Sequence, residues 1–275
     1  DGQVVFNSEI NAPYQWYYNG DTLDSPDFNG ETQANLEWLV PVSDAWYGNF
    51  YCDSDTMTSR NFSVQGKYPV YIDATAFLEG PFDGAEMNTT LNDNDLLPLN
   101  QPYNQSPWNY TGSESVTEIP NSDAVDWVLV ELRDAPDAAS ATPATTVAQQ
   151  AVFLLKDGSL VDIDGSSRIY FNQPFQQNIF MVLIHRNHLN ILSANHLSYA
   201  DGIYEYDFTT DVNQVYGGID AHKELAPGIW GLFAGDANAD GTIDELDGTE
   251  VWINEVGKTG YLQSDVNLDT QSDNQ

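Results

Sequence analysis

The sequence predicts an all-β protein in three parts: a small β-sandwich over residues 1–66, a larger β-sandwich over 67–230 and a short loop-and-helix module over 231–275. Three observations predict it. Residues 1–66 alternate short apolar runs with turn residues, the pattern of an antiparallel sandwich. Between 67 and 230, nearly continuous apolar runs recur at strand length, cut by Asp-Gly pairs. From Asp236 onward, oxygen-bearing side chains fall at every second position before a glycine.

Charge bounds the partners. Eight Lys and Arg against 42 Asp and Glu give a formal net charge of −34. No basic patch can release counterions from phosphate, which argues against nucleic acid and anionic membranes as partners. A chain so acidic repels itself when compact, and salt or divalent cations relieve that repulsion. A single cysteine, Cys52, excludes an internal disulfide. The longest apolar run, residues 179–184, is strand-sized, so insertion into a membrane is not expected. With Asp1 in place of an initiator Met and no signal peptide, both ends are expected to be cut from a longer chain.

In the first part, Gln15-Trp16-Tyr17-Tyr18 runs into Asn19-Gly20, a hairpin signal. Gly48-Asn49-Phe50-Tyr51-Cys52 sets an aromatic two residues before a cysteine. Together these resemble an immunoglobulin-type domain, with Trp16 at the core tryptophan of strand C, Phe50 at the tyrosine-corner position and Cys52 at the strand-F cysteine. Phe6 stands where the partner cysteine would be, and Phe50 lacks the corner hydroxyl. Strand A is missing on this alignment, so the N-terminal sheet edge is expected to be open to self-association with a strand from another chain.

In the second part, residues 124–132 read as a strand buried on both faces, followed by strands at 147–155, 159–163, 168–171, 179–184 and 203–208. Asp157-Gly158, Asp164-Gly165 and Asp201-Gly202 are the expected turns. Residues 143–150 carry the only helical pattern, and their β-branched threonines argue against it. Four prolines make 81–112 an irregular loop, of the kind that binds a ligand or covers a sheet.

The third part carries the sharpest signal. Asp236, Asn238, Asp240 and Asp247 fall at positions 1, 3, 5 and 12 of a twelve-residue calcium loop, with Gly241 at the bend and Thr242 offering its carbonyl at position 7. Ile243 at position 8 points away from the ion and can pack. Thr249, Trp252, Ile253 and Val256 then make one helical face, closed by Gly257. Asp265, Asn267 and Asp269 open a second copy, in which Thr270 replaces the glycine and the sequence ends one residue before position 12. The duplicated signature, with Asp at position 12, resembles the dockerin-type calcium module of secreted bacterial proteins.

A second resemblance spans residues 74–275. The phrases Phe77-Leu78-Glu79-Gly80-Pro81-Phe82-Asp83-Gly84, Asp126-Trp127-Val128-Leu129-Val130-Glu131-Leu132-Arg133-Asp134 and His185-Arg186-Asn187-His188-Leu189, followed by Ala226-Pro227-Gly228-Ile229-Trp230-Gly231, are similar to a domain near the C-terminus of large Bacteroidetes surface proteins. That resemblance implies secretion and surface display, and offers no catalytic residues.

Residue chemistry points the same way. His185 and His188 would face opposite sides of a strand, so cross-strand or turn packing is expected of them rather than a shared zinc. No Gly-x-Ser-x-Gly elbow and no phosphate loop occurs. Asn61, Asn88, Asn104 and Asn109 fit the N-glycan acceptor pattern, and Thr22 and Thr56 the Asp-Thr-apolar O-glycan pattern. The expected protein is therefore a non-catalytic extracellular adhesion or assembly protein, stapled by structural Ca2+ and joined head to tail into a filament. The alternative is a carbohydrate-binding accessory module using Tyr103, Trp108 and Tyr110; a secreted hydrolase would need two carboxylates in a cleft.

Overall fold

A computed structural model describes residues 69–273 in full and, before them, the backbone of eight strands. The chain divides into two compact units, Asp1–Pro69 and Val70–Gln275. Residues 231–275, expected as a third part, belong to the second unit.

The first unit contains β1 (Val5–Asn7), β2 (Gln15–Tyr18), β3 (Asp21–Thr22), β4 (Phe28–Asn29), β5 (Asn35–Trp38), β6 (Gly48–Ser54), β7 (Met57–Thr58) and β8 (Phe62–Val64). One antiparallel sheet has the order β1-β5-β4; the other runs β3-β2-β6-β7, with β8 also paired to β6. Tyr18 pairs with Asp21, the register that a two-residue Asn-Gly turn requires. Trp16 lies directly opposite Cys52.

In the second unit, β9 (Pro69–Thr75) alternates exposed and buried residues, as a strand with one wet face must. β10 (Ala124–Ala135) is buried at each of its first nine residues. Its apolar run needs protein on both faces and gets it, and β10 is also the central strand of a five-stranded sheet. There β10 sits between β11 (Thr146–Leu155) and β14 (Asn178–Ile184), with β12 (Leu160–Val161) and β15 (Ile191–Leu192) at the edges. A second sheet orders β13 (Ile169–Asn172), β9, β17 (Ile203–Asp207) and β16 (Ser198–Ala200), in which β9 and β17 are parallel. The turn from β16 to β17 uses Asp201 at φ 51° and Gly202 at φ 86°, the double positive that matches the twist of a hairpin. β18 (Lys223–Ala226) and β19 (Ile229–Gly231) form a hairpin that leads into the tail.

One apolar core joins these elements, centred on Trp127 and Phe153 with ring centroids 4.1 Å apart. The loop at 81–112 covers that core. Tyr103 is fully buried and donates from its hydroxyl to the Trp127 carbonyl at 2.7 Å. Within the loop, α1 (Thr90–Asp93) is a single turn that buries Leu91. Residues 143–145 form a 3-10 turn before β11. Among the described residues, no helix is long and apolar enough to cross a membrane.

The tail departs from its expected helix. Asp247–Trp252 is wound as a π-helix, with α winding confined to residues 245–246 before it and α2 (Ile253–Glu255) after it. The wider winding dephases the 3.6-residue stripe, so Ile253 and Val256 are exposed instead of forming a packed face. Ile243, expected to pack, is also exposed.

Candidate metal centre

The two tail loops adopt the same conformation although their sequences differ. In the first, the Asp236 carboxylate accepts from the amides of Asp240 and Gly241 at 3.0 and 3.1 Å. Thr242 donates its amide to Asp240, and the Asn238 side chain donates to the other Asp240 oxygen. Asp247 closes the loop by accepting from the amides of Asn238 and Asp244 at 3.1 and 2.8 Å. In the second loop, Asp265 accepts from the amides of Asp269 and Thr270, Asp269 accepts from Gln271, and Asn267 donates to Asp269. The backbone matches too: Ala239 and Leu268 both have φ 56°, while Gly241 and Thr270 stand at 87° and 82°. The glycine that stands at the bend of the first loop is thus replaced by a threonine held in the left-handed region, where a β-branched residue is strained.

These loops gather buried negative charge. Asp236 and Asp265 are 1% and 0% exposed. Burial pushes the Asp236 carboxyl up to about 6, and the neighbouring Asp247 and Asp240 add to the rise. Burial likewise pushes Asp265 up to about 6, against the lowering effect of Arg186. Among the described residues, no lysine or arginine forms an ion pair with Asp236 or Asp247. Buried carboxylates without a basic partner fit a hard divalent cation, whose preferred ligands are oxygens. Also among the described residues, no three His, Cys, Asp or Glu side chains already form a cage, so Asn238 and the Thr242 carbonyl would have to complete one.

Two phrases with no role assigned by sequence reasoning form the seat of this tail. The segment after β14, His185 to His188, is buried throughout. Asn187 donates from Nδ2 to the Asp265 carbonyl at 2.7 Å, and its own carbonyl accepts from the amide of Gly235, next to Asp236. Arg186 donates to the Leu262 carbonyl and to the Asp126 carboxylate at 2.9 Å, and lies 4.2 Å from the Tyr261 ring centre. From the loop at 81–112, Asn88 donates to the Asn267 carbonyl at 3.0 Å. Gly80 lies so close to the tail that an added Cβ would collide with the Val266 carbonyl oxygen.

The histidines complete a closed relay. Gly80 donates its amide to His188 Nε2 at 3.2 Å, which leaves the proton of a neutral His188 on Nδ1. That Nδ1 lies 3.0 Å from His185 Nδ1 and 2.8 Å from Asn187 Oδ1. His185 then carries its proton on Nε2, 3.2 Å from Asp126. Burial depresses both imidazoles, His188 well below its ordinary value, and His185 and Arg186 add to the depression of His188. Burial alone would raise Asp126, but Arg186 and the donors His185 and Tyr261 outweigh it and hold the carboxyl at about 2. The two rings pack edge to face, so they do not lie on opposite sides of a strand as expected: β14 ends at Ile184 and the bend that follows turns both side chains together. Asp126 and His185 form a carboxylate-imidazole pair, yet the other nitrogen of His185 faces His188 instead of a hydroxyl. His196 Nδ1 sits 3.0 Å from the Leu197 carbonyl, and His222 is buried beside Trp230.

The remaining expected residues separate. Tyr103 is core, Trp108 packs against it at 5.2 Å, and Tyr110 is half-buried with its hydroxyl on Glu114 at 2.6 Å. Three rings expected to line a sugar groove therefore form no exposed strip, because the loop turns them inward to cover the core. Asn104 and Asn109 are exposed. Asn88 corrects its glycan expectation, since the nitrogen a glycan would occupy is committed to the Asn267 and Pro81 carbonyls. The side chain of Thr22 and residues Thr56 and Asn61 lie outside the described residues, as do the side chains of Trp16, Phe50 and Cys52.

No family model, curated protein or solved structure matches this chain. The geometry defines an all-β protein whose second unit ends in two acidic loops that share hydrogen bonds and left-handed φ values over their first six positions.

Proposed function

We propose that this is a non-catalytic extracellular protein of adhesion, surface display or assembly, with structural Ca2+ in its first tail loop. The observation that carries the reading is the burial of Asp236 beside Asp240 and Asp247 without a basic partner. Asp236, Asn238, Asp240, the Thr242 carbonyl and Asp247 would hold the ion, which would supply the positive charge that the site lacks. A set filled by protein oxygens leaves no open position for activating water, which is why the role is structural. The extracellular assignment rests on the acidity of the chain and on the millimolar calcium that a weak site needs.

The sheet orders support an immunoglobulin-like reading of the first unit. β1, β5 and β4 correspond to strands B, E and D, while β3, β2, β6 and β7/β8 correspond to C′, C, F and G. On that reading β1, which among the described residues pairs only with β5, offers its outer edge to a strand of another copy.

Calorimetric titration and thermal unfolding with calcium and with EGTA test the reading. Calcium is expected to raise the melting temperature of the wild type, and Asp236→Asn is expected to weaken binding by about tenfold or more. Melting that is indifferent to EGTA, with no measurable binding heat, would overturn it. Sedimentation across protein concentrations tests self-association: a species that stays monomeric at all concentrations would remove the filament.

A further inference from the structure

We propose that the second loop, residues 265–270, is held in the loaded shape by the body of the protein instead of by an ion. The proposal rests on the reading of the first loop as a cation site and concerns how its twin differs from it.

The two loops share their hydrogen bonds and dihedral angles, but their surroundings are opposite. The first is clasped by the rest of the chain chiefly at its entry, where Gly235 bonds to Asn187. The second is clasped along its length: Leu262 by Arg186, Asp265 by Asn187, Val266 against Gly80 and Asn267 by Asn88. Leu268 adds an apolar anchor. It is 1% exposed and part of the main core, whereas its counterpart Ala239 belongs to no core cluster.

The arginine that clasps Leu262 is itself fixed by the body: Arg186 is fully buried and donates to the Asp126 carboxylate at 2.9 Å.

The strain points the same way. Thr270 occupies left-handed backbone that a β-branched residue rarely adopts, while Leu268 shares its φ of 56° with Ala239 of the first loop. Such a conformation persists only when its surroundings over-determine it. At the same position the first loop has Gly241, for which that conformation is free of side-chain strain.

Hydrogen exchange on the whole chain, in saturating calcium and after EGTA, tests this. EGTA is expected to speed exchange at Asp240, Gly241 and Thr242 by about tenfold or more, and to leave Asp269, Thr270 and Gln271 within about threefold. Asn187→Ala and Asn88→Ala are expected to expose the second set of amides even in calcium, and Asn88→Ala is expected to leave the calcium titration of the first loop unchanged within about twofold. Should Asn187→Ala fail to fold, the half-buried Asn88 still supplies the test. Exchange of both loops in step on EGTA, or a second loop unmoved by either variant, would overturn the proposal. If the first loop alone proves indifferent to EGTA, the calcium reading fails while the cradle stands.

Discussion

Asn187 donates from its side chain to the Asp265 carbonyl, 78 positions further along the chain, and accepts at its own carbonyl from Gly235, the residue before Asp236. One asparagine at the end of β14 therefore sets the entry to both acidic loops. The tail is built onto the body through main-chain atoms, which leaves the loop carboxylates free to turn inward.

The relay behind Asn187 depends on Asp126. Asp126→Asn keeps the shape but leaves Arg186 buried without its counter-charge. A loss of about 3–5 kcal/mol is expected, the cost of breaking a buried pair from one side. Urea denaturation of the two proteins at equal calcium measures it, and a change under about 1 kcal/mol would contradict the assigned role.

Because burial depresses His185 and His188, their folded state holds them neutral below the ordinary pH at which imidazole charges. The sign follows: the unfolded chain binds more protons, so this stability is present above about pH 6.5 and lost as pH falls below it. The groups facing the rings are Asp126 from β10, with Arg186 and Asn187 from their own segment. Asp236 and Asp265, raised to about 6, act in the opposite sense in the calcium-free chain, losing their contribution as pH rises through that value. The difference in unfolding free energy between the wild type and His188→Gln, measured in EGTA at pH 7.5 and 5.0, isolates the imidazole. The difference is expected to shrink at the lower pH.

Gly80 meets the tail where no side chain fits. Gly80→Ala places a methyl group against the Val266 carbonyl, and overpacking of this kind typically costs about 1–3 kcal/mol. The amides of Asp269 and Thr270 are expected to lose protection before those of β10, which hydrogen exchange resolves.

Tyr103→Phe tests whether the long loop is a cover. Removing the hydroxyl strands the buried Trp127 carbonyl, at a cost of about 1–3 kcal/mol in thermal or urea unfolding. A variant as stable as the wild type would return this loop to the binding role that its prolines suggested.

Much of the second unit was legible because burial imposes its own period. The nearly continuous apolar run of β10 announced a strand covered on both faces, and the turn at Asp201-Gly202 announced its hairpin. The ends of β12 and β17 shifted inward by a residue or two, and β9 escaped notice, although Val70, Ile72 and Ala74 alternate with exposed neighbours. The tail helix was misjudged because a stripe at 3.6 residues presumes α winding, and Asp247–Trp252 does not supply it. Asn88 matched a glycan tripeptide, but a tripeptide does not tell whether its amide is engaged elsewhere.

By itself the sequence determined the strands of the body, the acidity that seeks cations and the positions of the loop oxygens, since all three depend on neighbours along the chain. Only the tertiary structure decided that His185 to His188, Gly80 and Asn88 form the seat of the tail, and that Thr270 follows the path of Gly241. The reason is distance along the chain. A buried arginine or a missing Cβ gains its meaning from a carbonyl dozens of residues away, and no local pattern records which carbonyl that will be.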